Sequence, residues 1–368
     1  LSLKIFLVCA PGLESLLADE ARAAGFTDAA PGAGGVTVTG GWPDVWRANL
    51  DLRGAARVLV RIGGFPAPHL AQLDKRARKF PWTDTLIPGT PVRVEATCKR
   101  SRIYHAGAAQ QRIEGALEAA GLPVDRDAHT VLKTRIEDDL VTFSLDSSGE
   151  PLHKRGFKQA VGKAPMRETL AALFLRACGY DGSEPVVDPM CGSGTFLLEA
   201  AEIAAGLSPG RSRRFAFENL ASFDADAFAA MKSGTDIDTL PAGPRCFGSD
   251  RDQGAVRAAA ANAERAGVAS LCTLDCHAVS DAAPPDGPPG LVIVNPPYGA
   301  RIGNKKLLFG IYGALGETLR TRFRGWRVGL VTSEKALVTA TKLPFARPGP
   351  PVPHGGLKVQ LWQTGPLK

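Results

Sequence analysis

DPMCGSGTFLLEAA, at residues 188–201, follows a short apolar run (PVV, 185–187) and leads into a helix-like stretch. A strand that ends in a glycine-broken turn and passes straight into a helix is the opening unit of an open parallel sheet. Gly192 and Gly194 carry no Cβ, so the backbone of the turn can approach a ligand closely. The first turn of the helix then offers unpaired N–H groups and the positive end of its dipole to a carboxylate or phosphate. This turn is not the dinucleotide fingerprint. Counted from Gly192 and Gly194, the third glycine of that motif falls on Leu197.

Outward from this turn, helices and strands alternate. A helix is predicted over 166–178, a strand over 186–188, and a helix over 195–205. A strand at 246–249 runs into Asp250 and a helix at 252–266, followed by strands at 270–274 and 291–294. A helix near 307–321, a strand at 327–332 and an edge strand in LKVQLWQTG complete an α/β region built on a parallel sheet. In such a sheet a carboxylate ending the second strand bonds ribose hydroxyls, which is the place of Asp250. The same residue also reads as a helix N-cap, and the two roles are compatible. Asp188, ending the first strand, can engage an ammonium group. That is an odd requirement for a nicotinamide cofactor and a natural one for a methionine moiety. The cradle therefore points to S-adenosylmethionine, held by Asp188, Pro189, Met190, Cys191, Gly192, Ser193, Gly194, Thr195 and Asp250. Residues 206–244, rich in Arg, Phe and Asp, form an insertion that reads equally as a lid or as packing.

Further along, LVIVNPPY at 291–298 ends a very apolar strand in Asn295-Pro296-Pro297-Tyr298. Two prolines stiffen the turn and leave carbonyls without competing N–H groups. The Asn295 side-chain oxygen and a neighbouring proline carbonyl can each accept a hydrogen from one NH2 group. That arrangement aims the nitrogen lone pair and favours the positive charge that develops on methylation. Tyr298 can stack on the face of a base. Such chemistry calls for no metal and no covalent nucleophile.

The region before residue 150 has a different rhythm. Strands are predicted at 3–9, 35–39, 57–62, 91–97, 130–136 and 139–145, with helices at 13–24, 43–52, 69–80 and 106–120. Leu13, Leu16, Leu17 and Ala21 make one helical stripe. Small α+β units fit this pattern better than a second doubly wound sheet. His105 and His129 stand alone and read as surface or cap residues. A polar, basic seam, SSGEPLHKRGFKQAVGKAP at 147–165, separates the two regions.

With 368 residues, 44% of them hydrophobic, the chain can bury a substantial core, which excludes a disordered protein. No segment approaches the roughly 18–20 apolar residues of a membrane helix. The start, LSLKIFLVCAPG, reads as a first strand rather than a signal peptide, and the lack of an initial Met points to trimming. Seven cysteines with no CxxC pair suit reduced thiols in a cytoplasm and give no zinc spacing. The net charge of +7 suits an anionic partner. It concentrates in Lys75, Arg76, Arg78 and Lys79; in Lys99, Arg100 and Arg102; and in Lys154, Arg155, Lys158, Lys163 and Arg167. Each cluster reads as a solvated face or as a phosphate-binding surface.

These motifs together resemble the bacterial THUMP-domain guanine-N2 RNA methyltransferases, in particular the N-terminal methylating half of the enzymes acting on large-subunit ribosomal RNA. FLVCAPGLESLLADE is similar to that family's ferredoxin-like start, VDRDAHTVLKTRI and LDSSGEPLHKRGF to its THUMP module, KAPMRETLAA to the segment over the cofactor, and NPPYGARIG to its catalytic loop. The resemblance implies a ferredoxin-like segment over 1–55, a THUMP RNA-binding domain over 56–157 and a class I, Rossmann-like methyltransferase domain over 158–368. It implies S-adenosylmethionine as cofactor, RNA (23S ribosomal RNA) as partner, and a target amine held by Asn295, Pro296, Pro297 and Tyr298. It makes Lys99, Arg100, Arg102, Lys154 and Arg155 candidate phosphate contacts. The family's acidic adenine-binding residue after the third strand falls here on His277, with Asp275 two residues earlier, so the imidazole or a backbone group is expected to meet the adenine. The chain ends after one methyltransferase domain, where some relatives carry a second.

The residues themselves support an exocyclic amine; guanine and RNA rest on the resemblance. Transfer RNA as substrate, adenine N6 as target, and a non-catalytic RNA-binding or ribosome-assembly role remain as alternatives. The intact NPPY speaks against the last of these.

Overall fold

The computed structural model describes residues 2–159, 166–233, 241–299 and 305–368. The chain divides into two compact units. The first comprises Leu1–Cys9, Ala18–Leu152 and Arg213–Gly234; the second comprises Ala10–Leu17, His153–Ser212 and Thr235–Lys368.

The first elements along the chain are β1 (Leu3–Val8), α1 (Glu14–Ala23), β2 (Ala30–Gly32), β3 (Gly35–Gly40), α2 (Trp42–Asp51) and β4 (Arg57–Pro66). They are followed by α3 (Leu70–Ala77), β5 (Val92–Lys99), α4 (Ala106–Ala119), β6 (Thr130–Glu137) and β7 (Leu140–Asp146). The seven strands form one sheet in the order β2-β3-β1-β4-β7-β6-β5, antiparallel except for β5 against β6. Ile5 and Leu7, Val36 and Val38, and Val58 and Val60 alternate with more exposed neighbours, and the register sets Ile5 between Val38 and Val60. One buried face per strand is what a period of two produces. Segments 1–55 and 56–157 thus share a sheet, joined where β1 pairs with β4. His105 caps α4 through Nδ1, which accepts from the Ala108 N–H at 3.0 Å.

In the second half of the chain the elements are α5 (Glu168–Ala177), β8 (Val186–Asp188), α6 (Thr195–Ala204), α7 (Ala225–Lys232), β9 (Cys246–Asp250), α8 (Gln253–Ala266) and β10 (Cys272–Cys276). Then come β11 (Leu291–Val294), α9 (Lys305–Arg322), β12 (Arg327–Thr332), α10 (Lys335–Ala340), β13 (Val352–His354) and β14 (Leu357–Gln363). Strand order is β10-β9-β8-β11-β12-β14-β13, parallel as far as β12 and antiparallel thereafter. The chain order reverses at β8, which lies between β9 and β11, and ligands of such sheets bind beyond the carboxyl ends of the strands at that point. All four residues of β11 are buried, the signature of a parallel strand covered on both faces. Leu308, Tyr312, Leu315 and Leu319 of α9 recur at helical spacing and, with Phe323 just beyond the helix, pack into one cluster with Val292, Val294, Val328 and Leu330.

The described part of the insertion, through Ser233, is packing rather than a lid. Phe215, Phe217, Phe223 and Phe228 close around Trp46 of α2, with ring centroids 5.0–6.3 Å apart, inside the first unit. Residues 234–240 of the insertion and Lys163 of the third basic cluster lie outside the described residues. Among the described residues no helix is long and apolar enough to cross a membrane.

Candidate active site

At the end of β8 the chain reverses through Gly192 and Gly194, both in the left-handed region at φ +54° and +85°. A side chain at Gly194 would come within 3.2 Å of the Ala259 Cβ on α8, whereas at Gly192 it would meet nothing within 4 Å. Helix packing fixes Gly194, and open space lies in front of Gly192. The turn is tied down from behind. The Cys191 N–H donates to the Ser249 carbonyl at 2.9 Å and Asn262 Nδ2 donates to the Ser193 carbonyl at 3.1 Å. Pro189, Cys191, Ser193 and Thr195 are accordingly buried, and Met190 and Gly192 are half-exposed. The Thr195 hydroxyl accepts from Lys158 Nζ at 2.6 Å, and Lys158 also pairs with Glu168 at 2.9 Å. Lys158 therefore belongs to the floor of the site and not to a solvated basic face.

Asp250, ending β9, braces the same turn. Its Oδ2 accepts the Gly192 N–H at 3.0 Å and its Oδ1 the Asp252 N–H at 2.9 Å. The N-cap of α8 is Asp252, whose Oδ1 accepts from the Gly254 N–H at 2.8 Å, so the cap reading of Asp250 falls away. Each Asp250 oxygen keeps a further lone pair for a hydroxyl. Asp188 is 2% exposed. Burial pushes its carboxyl up to about 8; the Met190 N–H, donating at 3.1 Å, opposes the shift, and the charge of Asp250 adds to it. A carboxyl whose charge is this costly to bury is one that a cationic ligand group would draw into its ionised form. His277 is the first residue after β10, half-exposed, with Nδ1 3.0 Å from the Ala278 carbonyl; Asp275 lies within the strand, opposite Ser249.

Beside β8, strand β11 delivers Asn295. Its Oδ1 is buried and has no hydrogen-bond partner. Buried polar atoms in folded proteins are almost always paired, so an orphan acceptor at a strand end marks a position kept for something else. Pro296 is buried, Pro297 and Tyr298 are half-buried, and Tyr298 packs against the α9 cluster. The loop is pinned just beyond the tetrapeptide, where the Gly299 N–H donates to Glu334 Oε1 at 3.0 Å. The Glu334 N–H donates to Thr332 Oγ1 at 3.3 Å, and the Tyr312 hydroxyl donates to the same oxygen at 3.2 Å. The remainder of NPPYGARIG, from residue 300, lies outside the described residues. Glu334, Thr332 and Tyr312 carry no motif in the sequence, and Lys158 stands out there only as one cation of the third basic cluster. A signal for Glu334 existed: VTSE leaves an apolar strand adjacent to β11, and parallel strands converge their carboxyl ends on one crevice.

The basic residues divide. Lys99, Arg100 and Arg102 are exposed, and Glu137, Asp138 and Asp139 face them: Lys99 lies 3.8 Å and Arg100 2.8 Å from Glu137, Arg100 2.9 Å from Asp138, and Arg102 3.6 Å from Asp139. The patch is close to charge-balanced. Lys154 is exposed. Arg155 corrects the sequence reading. It is 2% exposed, with Nε 3.0 Å from Glu199 Oε1 and Nη2 3.3 Å from Oε2, and so is closed to a phosphate. Among the described residues no group of three or more His, Cys, Asp or Glu side chains could hold a metal ion.

Two segments of the chain match known protein families. Residues 155–346 match the family described as RMKL-like, methyltransferase domain, and residues 4–59 match the RlmL ferredoxin-like domain. The chain is 34% identical over 361 residues to a ribosomal RNA large subunit methyltransferase K/L of Syntrophotalea carbinolica, covering 91% of this chain and 50% of that protein. It thus spans about half the length of that relative. It is 31% identical to a putative RNA methyltransferase of Synechocystis, covering 97% of this chain and 95% of the other. A crystal structure of SMU.472, a putative methyltransferase complexed with SAH, superposes with a TM-score of 0.89 at 26% identity over 100% of this chain and 99% of that one.

Proposed function

Since the chain belongs to the RMKL-like methyltransferase family, we propose that it transfers a methyl group from S-adenosylmethionine to the exocyclic N2 amine of a guanine in large-subunit ribosomal RNA. The observation that carries this reading is the orphan Asn295 Oδ1, held at the end of β11 beside the switch point at β8. An acceptor there takes one hydrogen of an NH2 group, a proline carbonyl of the same turn takes the other, and the nitrogen lone pair is left directed away from both. Tyr298 lies against the base.

The residues at β8 and β9 fit the cofactor. In this reading open space before Gly192 admits it, Asp188 meets its ammonium group, Asp250 its ribose hydroxyls, and the His277 imidazole or a backbone group beside it meets the adenine. When bound, S-adenosylmethionine supplies an electrophilic methyl group. Asn295 and the proline carbonyl favour the charge that grows on the attacking amine, which regains neutrality by releasing a proton. Lys99, Arg100, Arg102 and Lys154 are the candidate phosphate contacts, within a domain of THUMP type over 56–157, and the protein works in the cytoplasm. Ribosomal RNA rather than transfer RNA is favoured by the K/L relatives.

Methyl transfer from labelled S-adenosylmethionine to total unmodified RNA, followed by nucleoside mass spectrometry, tests the proposal. N2-methylguanosine in large-subunit rRNA supports it. Label in transfer RNA overturns the substrate, label on adenine N6 overturns the base, and absence of label with RNA still bound makes a scaffold of the fold.

Cofactor affinity should also depend on pH. An ammonium group requires ionised Asp188, and that carboxyl stands at about 8. Affinity measured by calorimetry should therefore fall roughly tenfold for each pH unit below 8, with about one proton released on binding at pH 7. The unliganded protein behaves in the opposite sense. The folded pKa is raised from 3.8, so the stability this group contributes is fully present below that value and is lost as the pH rises toward 8. Affinity that is flat from pH 6 to 8 would remove Asp188 from the ammonium site.

A further inference from the structure

We infer that Glu334 selects guanine, by accepting the N1–H of the base whose N2 amine Asn295 holds; this rests on the guanine-N2 reading. Glu334 occupies the N-cap of α10, yet its side chain makes no capping bond. Serine, threonine, aspartate and asparagine suit that position, so the helix does not explain a glutamate there. The carboxylate reaches instead to the loop after β11, where Oε1 takes the Gly299 N–H at 3.0 Å, one residue beyond Tyr298. Its main chain is fixed by the bond to Thr332 Oγ1, an oxygen 1% exposed in residue terms and further held by the buried Tyr312 hydroxyl. Glu334 Oε2 has no partner among the described residues.

Two adjacent parallel strands thus place two acceptor-bearing side chains at the same end of the sheet: Asn295, just past β11, and Glu334, two residues past β12. Guanine presents two adjacent donors, N2–H and N1–H, on its Watson–Crick edge, and enzymes that act on an unstacked base read that edge. Adenine presents an NH2 donor beside an N1 acceptor, and a carboxylate facing that lone pair repels it. A fixed carboxylate next to an amide oxygen therefore complements guanine and rejects adenine, and it extends the amine grip into recognition of the base. The Gly299 bond gives the same side chain a positioning role, and the test has to separate the two.

Glu334→Gln keeps a carbonyl oxygen for the Gly299 N–H and removes the charge. The full-length chain is assayed on two transcripts of the methylated RNA, one with guanine at the target and one with 2-aminopurine, which keeps the 2-amine and lacks N1–H. The wild type is expected to prefer guanine in kcat/KM by roughly ten- to hundredfold, the usual worth of a hydrogen bond to a charged group, and the variant's preference to fall to within about threefold. Cofactor affinity by calorimetry stays unchanged, which shows the fold intact. Equal losses on both transcripts would leave Glu334 as a loop pin alone, and a wild type indifferent to 2-aminopurine would also overturn base selection. A wild type that methylates adenine N6 and no guanine would instead overturn the guanine reading beneath it.

Discussion

Replacing Asn295 by alanine is expected to lower methyl transfer by about 10²–10³-fold, the usual cost of removing one oriented transition-state partner. Cofactor affinity should stay within about threefold of the wild type, because the residues of the cradle are at the ends of β8 and β9 while Asn295 follows β11. The loss should appear in kcat. The amine gains positive charge only as the new bond forms, so the Asn295 oxygen matters more to the transition state than to the bound substrate. Stability supplies an independent check. Asn295 Oδ1 is already buried without a partner, so the substitution removes an unsatisfied acceptor and breaks no bond to that atom. Thermal unfolding should therefore show Asn295→Ala as no less stable than the wild type. Activity within a few-fold of wild type, at unchanged stability, would sink the clamp assignment; so would a defect confined to cofactor binding.

How far the sequence could be read depends on the range of the interactions involved. Strand β11 and the turn at Gly192 were legible because their signals are local: four apolar residues in a row, then NPPY, and glycines at two positions that need positive φ. Strands β8 and β12 and the helix periodicity of α9 were legible for the same reason, and β9, β10 and α8 to within a residue or two. The short β2, α7 and α10 escaped because three to eight residues carry too little periodicity. What sequence spacing does not reveal is which distant charge a charge will meet. Helix α6 is buried almost all round and contains Glu199 and Glu202; their partners, Arg155 and Arg211, lie in segments whose composition looks like solvated basic chain. Lys158 was hidden in the same way. Lys99, Arg100 and Arg102 were recognised as exposed cations, but the three acids facing them, more than thirty residues away across the β6–β7 turn, were not. The candidate site follows the same rule. Asn295, Asp188 and Asp250 are each announced by a strand end, while Glu334 matters only because the sheet sets β12 beside β11.

Arg155 offers the sharpest separation of a phosphate contact from a structural ion. Were it a contact, Arg155→Ala would weaken RNA binding, reduce its salt dependence and leave folding alone. The structure predicts the reverse. Arg155 and Glu199 are each 1% exposed in their side chains and meet through two hydrogen bonds, so removing the guanidinium takes from a buried carboxylate the cation that it pairs with inside the second unit. Breaking a buried pair by deleting one partner costs about 3–5 kcal/mol, a large share of the roughly 5–15 kcal/mol that holds a domain folded. Arg155→Ala should therefore unfold at markedly lower denaturant concentration than the wild type. Replacing both members, as Arg155→Met with Glu199→Leu, should recover most of that loss, because a matched apolar pair leaves no ion without its partner. Unchanged stability in the single variant, together with a flatter salt dependence of RNA binding, would return Arg155 to the surface. Arg155→Met alone, which keeps most of the side-chain volume, should remain destabilised, so recovery only on adding Glu199→Leu identifies the cost as that of the buried charge and not of lost packing volume.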